Sequence, residues 1–207
     1  MLCDRNYLAF WCLGMINNLI FCVVISASDD IVNAFDAMSL VGLIAWANVA
    51  LGMFSRLANT FLVNTVPVQR RIVATACFNA TGLVTVACSN YVGSTGTAHF
   101  WFAILGIAIC GCGSAFGESV HLGYLEKFPP HMVGAWSSGT GMSGVLGGLL
   151  YLAFRSAGLT FDTTFLILLV FVATYVWGAP SASTAKMRPL RRAVSTYSLS
   201  SERTSSW

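Results

Sequence analysis

The chain has 207 residues, of which 56% are hydrophobic and 9% are charged, and its mean hydropathy is +0.72. Because soluble domains carry about 25% charged residues, this composition excludes an ordinary soluble fold and indicates an integral membrane protein. The net charge of +3 is small, and it gives no reason to expect a nucleic-acid partner.

Six apolar segments follow one another along the chain. About 20 residues are needed to cross a bilayer as a helix, and an open strand cannot satisfy its backbone in lipid. We therefore predict an all-α polytopic membrane protein with about six transmembrane helices in residues 1–179. The first segment lacks a clear cleavage site and is expected to remain as a helix. The segments are 8–27, 37–54 or slightly beyond, 72–91, 100–120 or beyond, 133–154 and 164–178, with a longer connection at 55–71.

The basic residues predict the orientation of these segments. If six spans alternate, ten of the eleven Lys and Arg residues lie on one side, and only Arg155 lies on the other. Basic residues accumulate on the cytosolic side of membrane proteins, so both termini are expected to be cytosolic. Residues 180–207 are rich in Ser, Thr and Arg, and we expect a disordered cytosolic tail there.

The seven cysteines fall in or beside the apolar segments rather than in aqueous loops. A disulfide framework is therefore not expected. Cys110 and Cys112 form C-x-C inside the fourth segment, and we expect them to pack in the helix bundle rather than bind a metal. No metal site and no cofactor are predicted.

The fourth segment carries the polar residues that are most costly in a membrane. An ionisable group such as Glu118 costs about 2.5–3.5 kcal/mol inside an apolar helix unless it faces protein or water. Gly111, Ser114, Glu118 and His121 are three or four residues apart, so a helix places them on one face. We expect this face to point into the bundle.

The fifth segment shows a similar spacing of small and polar residues. Ser137, Thr140, Gly144, Gly148 and Tyr151 share one helical face, which we also expect to point inward. Glycines in such a helix have a simpler role, because they allow neighbouring helices to pack closely.

Two alternatives remain open for the polar residues. Asn17 and Asn18 in the first segment either join helices by hydrogen bonds or contact a solute directly. Glu118 is either an interfacial carboxylate that reaches water or a buried group that exchanges a proton, with His121 as its switchable partner.

Several strings resemble the battenin family of lysosomal and vacuolar membrane proteins. They are F-G-E-S at 116–119, F-P-P-H at 128–131 and W-S-S-G-T-G at 136–141, with F-W-C-L-G-M-I-N-N at 10–18 and V-I-S-A-S-D-D-I at 24–31. The resemblance implies a longer protein, related to the major facilitator and equilibrative nucleoside transporters. It covers the first half of that fold, so we expect a truncated sequence or a half that pairs with itself or with a second half.

The resemblance also implies a function. We expect a transporter-like protein of the lysosomal or vacuolar membrane, in contact with lipid, a small solute and protons. Its implied roles are lysosomal pH homeostasis and transport of basic amino acids or glycerophosphodiesters. By position in the matching strings, Trp136, Ser137, Ser138 and Thr140 join the expected pathway of Asn17, Asn18, Ser114, Glu118 and His121.

Other functions remain as alternatives. The chain could be a membrane scaffold or trafficking regulator that moves no solute, or an inactive half-transporter. An enzyme is not expected, because H-E-x-x-H and G-x-S-x-G motifs are absent from the sequence.

Overall fold

The computed structural model describes residues 5–91 and 96–183, with side chains at 6–91 and 98–177. Within these ranges every regular element is helical and none is a strand. The tail predicted at 180–207 starts inside the last helix and otherwise lies outside the described residues. The helices are α1 (Arg5–Ser26), α2 (Ser28–Ala34), α3 (Val41–Leu62), α4 (Val68–Ala87), α5 (Gly96–Leu125), α6 (His131–Ser156), α7 (Phe161–Ile167) and α8 (Leu169–Ser183).

The all-α polytopic membrane fold is confirmed. Four stretches are long and apolar enough to cross a membrane, namely Asn6–Ser26, Met38–Leu62, Val68–Tyr91 and Ala98–Leu125. The 26 residues of α6 also form a helix of about 39 Å, which exceeds the hydrocarbon thickness of about 30 Å. A sixth apolar stretch, Phe161–Trp177, comprises α7 and most of α8, with Leu168 between them.

The long connection predicted at 55–71 is wrong. Helix α3 continues to Leu62 and α4 already begins at Val68, after Pro67. The polar residues that suggested a loop have partners on neighbouring helices. Arg71 Nη1 donates to Asn59 Oδ1 at 2.8 Å, and Asn59 Nδ2 donates to Ser119 Oγ at 2.8 Å. These bonds join the ends of α3, α4 and α5. The polar residues of this region therefore belong to helices rather than to a loop.

Helix α5 lies at the centre of the bundle and α3 lies at its edge. Of the most apolar stretch of each helix, 72% is buried in α5 and 17% in α3. Helix α5 packs between α3 and α4, while α1 packs along α6 and also contacts α5. Helix α8 packs against α1 and α4.

The face of α6 that packs inward differs from the predicted one. Ser137 and Gly144 are exposed, and Thr140 and Gly148 are only partly covered, so Tyr151 is the one buried member of that set. Helix α1 instead packs on a neighbouring face. Its members include Gly139, Ser143 and Gly147, together with Trp136 and Tyr151. Small residues occur on all sides of α6, so their spacing alone does not show which face packs inward.

Glycine is required where α6 crosses α1. A Cβ atom added at Gly139 would overlap the backbone oxygen of Trp11 and lie 3.1 Å from the nitrogen of Met15. The two backbones therefore approach each other as closely as small-residue helix contacts in membranes allow.

A polar contact holds the opposite end of the bundle from the Arg71 network. Arg155, at the end of α6, pairs with Asp30 of α2 at 2.8 Å from Nε to Oδ2. The Tyr151 hydroxyl donates to the same carboxylate at 2.5 Å. The single basic residue predicted on this side is thus neutralised by one of the acidic residues there.

We predict that Gly139→Ala weakens the α1–α6 contact, because the new methyl group has no room beside the Trp11 carbonyl. Overpacking of this kind costs about 1–3 kcal/mol, which should appear as a lower thermal midpoint in detergent. Gly141→Ala is the matched control, since a Cβ there meets no atom within 4 Å. Equal midpoints for the two variants would contradict the packing described here.

Candidate functional site

A cleft opens between α1, α3 and α5 and has a volume of about 490 Å³. Its position between helices matches the usual location of solute sites in helical bundles. Both polar and apolar side chains line it, and the charged ones come from α3 and α5. The lining residues are Asn18, Phe21, Asn48, Val49, Gly52, Met53, Arg56, Gly111, Ser114, Ala115 and Glu118.

The floor of the cleft depends on the close contact between α3 and α5. A Cβ atom at Gly111 would overlap the backbone carbonyl of Asn48, so only glycine allows this crossing. The crossing brings Asn48 of α3 and Ser114 of α5 to the wall of the same cavity. Gly111 was predicted to share a face with Ser114 and Glu118, and the structure places all three along the cleft.

An ion pair lies at one end of the cleft. Arg56 Nη2 of α3 and Glu118 Oε2 of α5 are 2.5 Å apart. The Arg56 side chain is 51% exposed and that of Glu118 is 29% exposed, so both remain open to a ligand from the cleft side. The carboxylate that sequence reasoning singled out is therefore paired with a guanidinium, and the pair is neutral overall.

His121 is not the partner of Glu118, in contrast to the predicted proton-switching pair. Its ring is buried in the core, stacked on Trp136 with the ring centres 4.7 Å apart. Residues three apart on a helix point in directions that differ by about 60°, and α5 is enclosed on several sides. The shared face inferred from the sequence is therefore divided between the cleft and the core.

Two buried side-chain atoms beside the cleft have no hydrogen-bond partner among the described residues. They are Asn48 Oδ1 and Ser114 Oγ. Asn48 is 1% exposed and Ser114 is 4% exposed. Such atoms are normally paired, because burying an unpaired polar group costs about 1–3 kcal/mol. Both residues line the cavity, although these two atoms themselves are covered by the surrounding protein.

A second polar cluster is closed inside the bundle and joins α1, α5 and α8. His121 Nδ1 lies 2.8 Å from the Gly117 carbonyl oxygen and 3.2 Å from the Tyr175 hydroxyl. Tyr175 donates to Asn17 Oδ1 at 3.3 Å, and Asn17 Nδ2 donates to the Ser114 carbonyl oxygen at 3.0 Å. This cluster therefore ends at Ser114, which also lines the cleft.

The direction of these bonds fixes the form of the His121 ring. A carbonyl oxygen can only accept a hydrogen bond, so Nδ1 carries the hydrogen of the neutral ring and Nε2 carries none. Among the described residues, Nε2 has no partner. Tyr175 donates its single hydrogen to Asn17, and its oxygen can share the one Nδ1 hydrogen with the Gly117 carbonyl oxygen. The cluster is therefore a directed set of bonds between three helices.

The predicted pathway residues do not form one site. Asn18, Ser114 and Glu118 line the cleft, whereas Asn17, His121 and Trp136 belong to the closed cluster or its wall. Thr140 is partly buried, and its hydroxyl has no partner among the described residues. Ser137 and Ser138 lie on the exposed side of α6.

Sequence reasoning missed three residues of these clusters. Arg56 lies just beyond the predicted second segment, and Asn48 and Tyr175 lie within predicted segments but were not assigned to the site. Asn48 and Tyr175 are polar groups within apolar segments, which is the signal that identified Glu118. In the described part of the chain, no group of three or more His, Cys, Asp or Glu side chains could hold a metal ion.

Comparison with known proteins identifies the family. The model of a family described as "CLN3 protein" matches residues 8–204. Battenin from Dictyostelium discoideum is 45% identical over 171 residues, which cover 83% of this chain and 39% of that protein. The chain belongs to the battenin family.

Fungal relatives give the same result. Protein btn1 of Aspergillus fumigatus is 32% identical over 78% of this chain and 34% of its own length. Protein BTN1 of Saccharomyces cerevisiae is 29% identical over 72% of this chain and 34% of its own length. The chain thus spans between about a third and two fifths of the length of these battenin relatives.

Within this battenin-family chain, we predict that Tyr175→Phe destabilises the bundle. The change leaves Asn17 Oδ1 and the His121 side of the cluster without the hydroxyl. Interhelical hydrogen bonds of this type contribute about 1 kcal/mol. Tyr124→Phe is the control, because Tyr124 contributes ring contacts with Phe10 and Phe128. Thermal unfolding in detergent should show a lower midpoint for Tyr175→Phe alone; equal effects would contradict the closed cluster.

Proposed function

We propose that the chain is part of a lysosomal or vacuolar transporter and that the cleft between α1, α3 and α5 forms one wall of its solute path. The observation that supports this proposal is the cleft itself, which holds the Arg56–Glu118 pair and lies between helices that are long and apolar enough to cross a membrane. Polar groups in a membrane helix are costly and usually mark a pathway for ions or solutes. Family membership supports the membrane location of this function.

The proposed cargo is a small solute of the kind implied by the family resemblance, either a basic amino acid or a glycerophosphodiester. Transport would contribute to lysosomal pH homeostasis if it moves protons with the solute. Glu118 is the group proposed to exchange the proton, because among the described residues its carboxylate is paired with Arg56, and it lines the cleft. Protonation would release Arg56, and a solute anion could then take the place of the carboxylate.

The open side of the cleft is proposed to be covered by a second helical unit. Charged side chains facing hydrocarbon are unfavourable, and transporter folds commonly place their site between two repeats. A second copy of the chain or further helices could supply the other wall. Purified chain that remains a stable monomer in detergent, with no cross-linked dimer in membranes, would contradict pairing with a second copy.

We predict that Glu118→Gln leaves the chain folded and correctly sorted but removes the pH dependence of transport. The folded state should tolerate the change because Arg56 is half exposed and can reach water. Glu126→Gln is the matched control, since Glu126 lies at the exposed end of the same membrane segment, outside the cleft.

The measurement uses cells that lack their own family member and express the chain or a variant. Solute flux from isolated organelles is followed across a range of external pH, together with lumenal pH. Flux through the Glu118→Gln variant with the parent's pH profile would remove Glu118 from proton coupling. Normal sorting without any solute flux by the parent chain would favour a scaffold or trafficking role.

Both termini are proposed to face the cytosol. Among the described basic residues, Arg56, Arg70, Arg71 and Lys127 lie at one end of the alternating helices, and Arg155 lies at the other. Positive charge near the ends of spans favours the cytosolic side.

Cysteine labelling tests this orientation in a chain whose native cysteines are replaced by serine. Thr65 and Ser156 are exposed at opposite ends of the helices, and each is changed to Cys in turn. A membrane-impermeant maleimide should label Thr65→Cys in intact organelles and Ser156→Cys only after permeabilisation. The reverse pattern would show the opposite orientation.

A further inference from the structure

We infer that the enclosed cluster of His121, Tyr175 and Asn17 is a pH-sensitive switch, which holds α8 on the bundle while His121 is neutral and releases α8 when the ring takes up a proton. The three residues belong to α5, α8 and α1, and none of them lines the cleft. The switch is therefore a proton site separate from the Glu118 carboxylate, and it does not depend on the proposed solute path.

The closed cluster has a place for the neutral ring of His121 but none for a second hydrogen. Nδ1 already donates, because it lies 2.8 Å from the Gly117 carbonyl oxygen and 3.2 Å from the Tyr175 hydroxyl oxygen. A proton added to the ring must therefore go to Nε2. Nε2 is buried and has no hydrogen-bond partner among the described residues. Protonation would thus create a buried donor with nothing to accept its hydrogen.

Protonation would also place a positive charge where the cluster offers no negative one. None of the ion pairs in the described part of the chain includes His121. The ring faces the Trp136 ring of α6 and the Tyr175 hydroxyl of α8, and both groups are uncharged. Glu118, the carboxylate nearest along α5, lies at the cleft and is paired with Arg56. A buried charge without a partner is strongly unfavourable, so the protonated ring favours an arrangement in which it reaches water.

The helices must separate before the ring can reach water. A Cβ atom at Gly117 would overlap Asn17 Oδ1 and lie 2.6 Å from Thr75 Cγ2, so α1 and α4 pack closely on this turn of α5. Asn17 and Thr75 are buried and uncharged. One turn before Thr75, Arg71 is directed to Asn59 of α3, and as a cation it opposes a second positive charge. Neither α1 nor α4 therefore stabilises the protonated ring.

Helix α8 is the element that this change should release. Among its described side chains, Tyr175 is the one that bonds to another helix, through Asn17 Oδ1 at 3.3 Å and His121 Nδ1 at 3.2 Å. Its other contacts with α1 and α4 are packing, and apolar packing gains little inside a bilayer because lipid is equally apolar. Movement of the His121 ring removes one of the two bonds and disturbs the other. Helix α1 stays on α6 through the close crossing at Gly139, which needs no titratable group.

The direction of the pH effect follows from the number of protons that each state binds. Imidazole in contact with water becomes protonated below about pH 6.5, whereas the closed cluster holds the neutral ring. The open state therefore binds one more proton than the closed state when the pH falls below about 6.5. The ratio of open to closed chains should then rise by up to about tenfold for each pH unit.

Two cysteine positions on α8 measure this ratio in nanodiscs, in a chain whose native cysteines are replaced by serine. Val172 packs inside the bundle and is 7% exposed, whereas Val170 is 62% exposed. Each is changed to Cys and treated with a lipid-soluble maleimide at a series of pH values. The rate at Val172→Cys divided by the rate at Val170→Cys cancels the common effect of pH on thiols and reports how often α8 opens. We expect this quotient to be constant above about pH 7 and to be about tenfold to a hundredfold higher at about pH 4.5.

Variants assign the effect to His121. His121→Asn keeps a donor near the Nδ1 position and His121→Phe keeps a ring against Trp136, but neither side chain takes up a proton. Both should give a quotient that does not change with pH, whatever its absolute value. His131→Asn is the matched control, because His131 is exposed at the start of α6, and it should retain the pH dependence of the parent chain. Circular dichroism shows whether each variant is helical.

A quotient that stays constant with pH in the parent chain would overturn the switch, and so would the same rise in His121→Asn or His121→Phe. Loss of the pH dependence in Glu118→Gln would assign it to the cleft and also overturn the switch. The Glu118→Gln chain should instead open α8 like the parent chain while it loses the pH dependence of solute flux. Failure of the switch and failure of the proposed function are therefore distinguishable.

Discussion

The requirement that polar groups within a membrane find partners in the protein determines how this bundle is assembled. Asn17 of α1 binds the backbone of α5, and Arg71 of α4 binds Asn59 of α3. Hydrocarbon offers these groups no hydrogen bonds, so their bonds join helices that the hydrophobic effect cannot hold together inside a bilayer. Close crossings at glycine, such as Gly111 and Gly139, bring the helices near enough for these bonds to form.

The two polar clusters around α5 differ in a way that bears on function. The cluster of His121, Tyr175 and Asn17 is enclosed, and its bonds run from one helix to the next. The cleft is open, and a charge pair lies at one end of it. An enclosed network of hydrogen bonds supports rigidity, whereas an open cleft with accessible charges has capacity for a ligand. Asn17 connects the two through the backbone of Ser114, so the enclosed cluster positions one wall of the cleft.

Hydropathy was sufficient to predict the long helices, because each crossing segment needs about 20 apolar residues. It did not predict the short helix α2. It failed at residues 55–71, where the partners of Asn59 and Arg71 lie on other helices and cannot be inferred from local composition. The family followed from short strings of residues, and the comparisons confirmed it.

The site was predictable only in part. Glu118 was identified because a carboxylate in an apolar run is costly, but its partner Arg56 is 62 residues away in sequence, and no spacing rule connects them. Helical periodicity placed His121 on the same side as Glu118. Because α5 has neighbours on several sides, Glu118 lies at the cleft and His121 lies in the core. On α6, small residues occur all round the helix, so packing against α1 decided which face is buried.

The central claim is that the cleft admits water and polar solutes within the membrane. Val49 lines the cleft and is 59% exposed, whereas Trp46, one turn away on α3, is 72% exposed and does not line it. Each is changed to Cys in a chain without native cysteines and treated in membranes with a charged, water-soluble thiol reagent. Because thiols react as thiolates in contact with water, Val49→Cys should react and Trp46→Cys should not. Equal lack of reaction, with both positions modified only by a lipid-soluble reagent, would contradict the account.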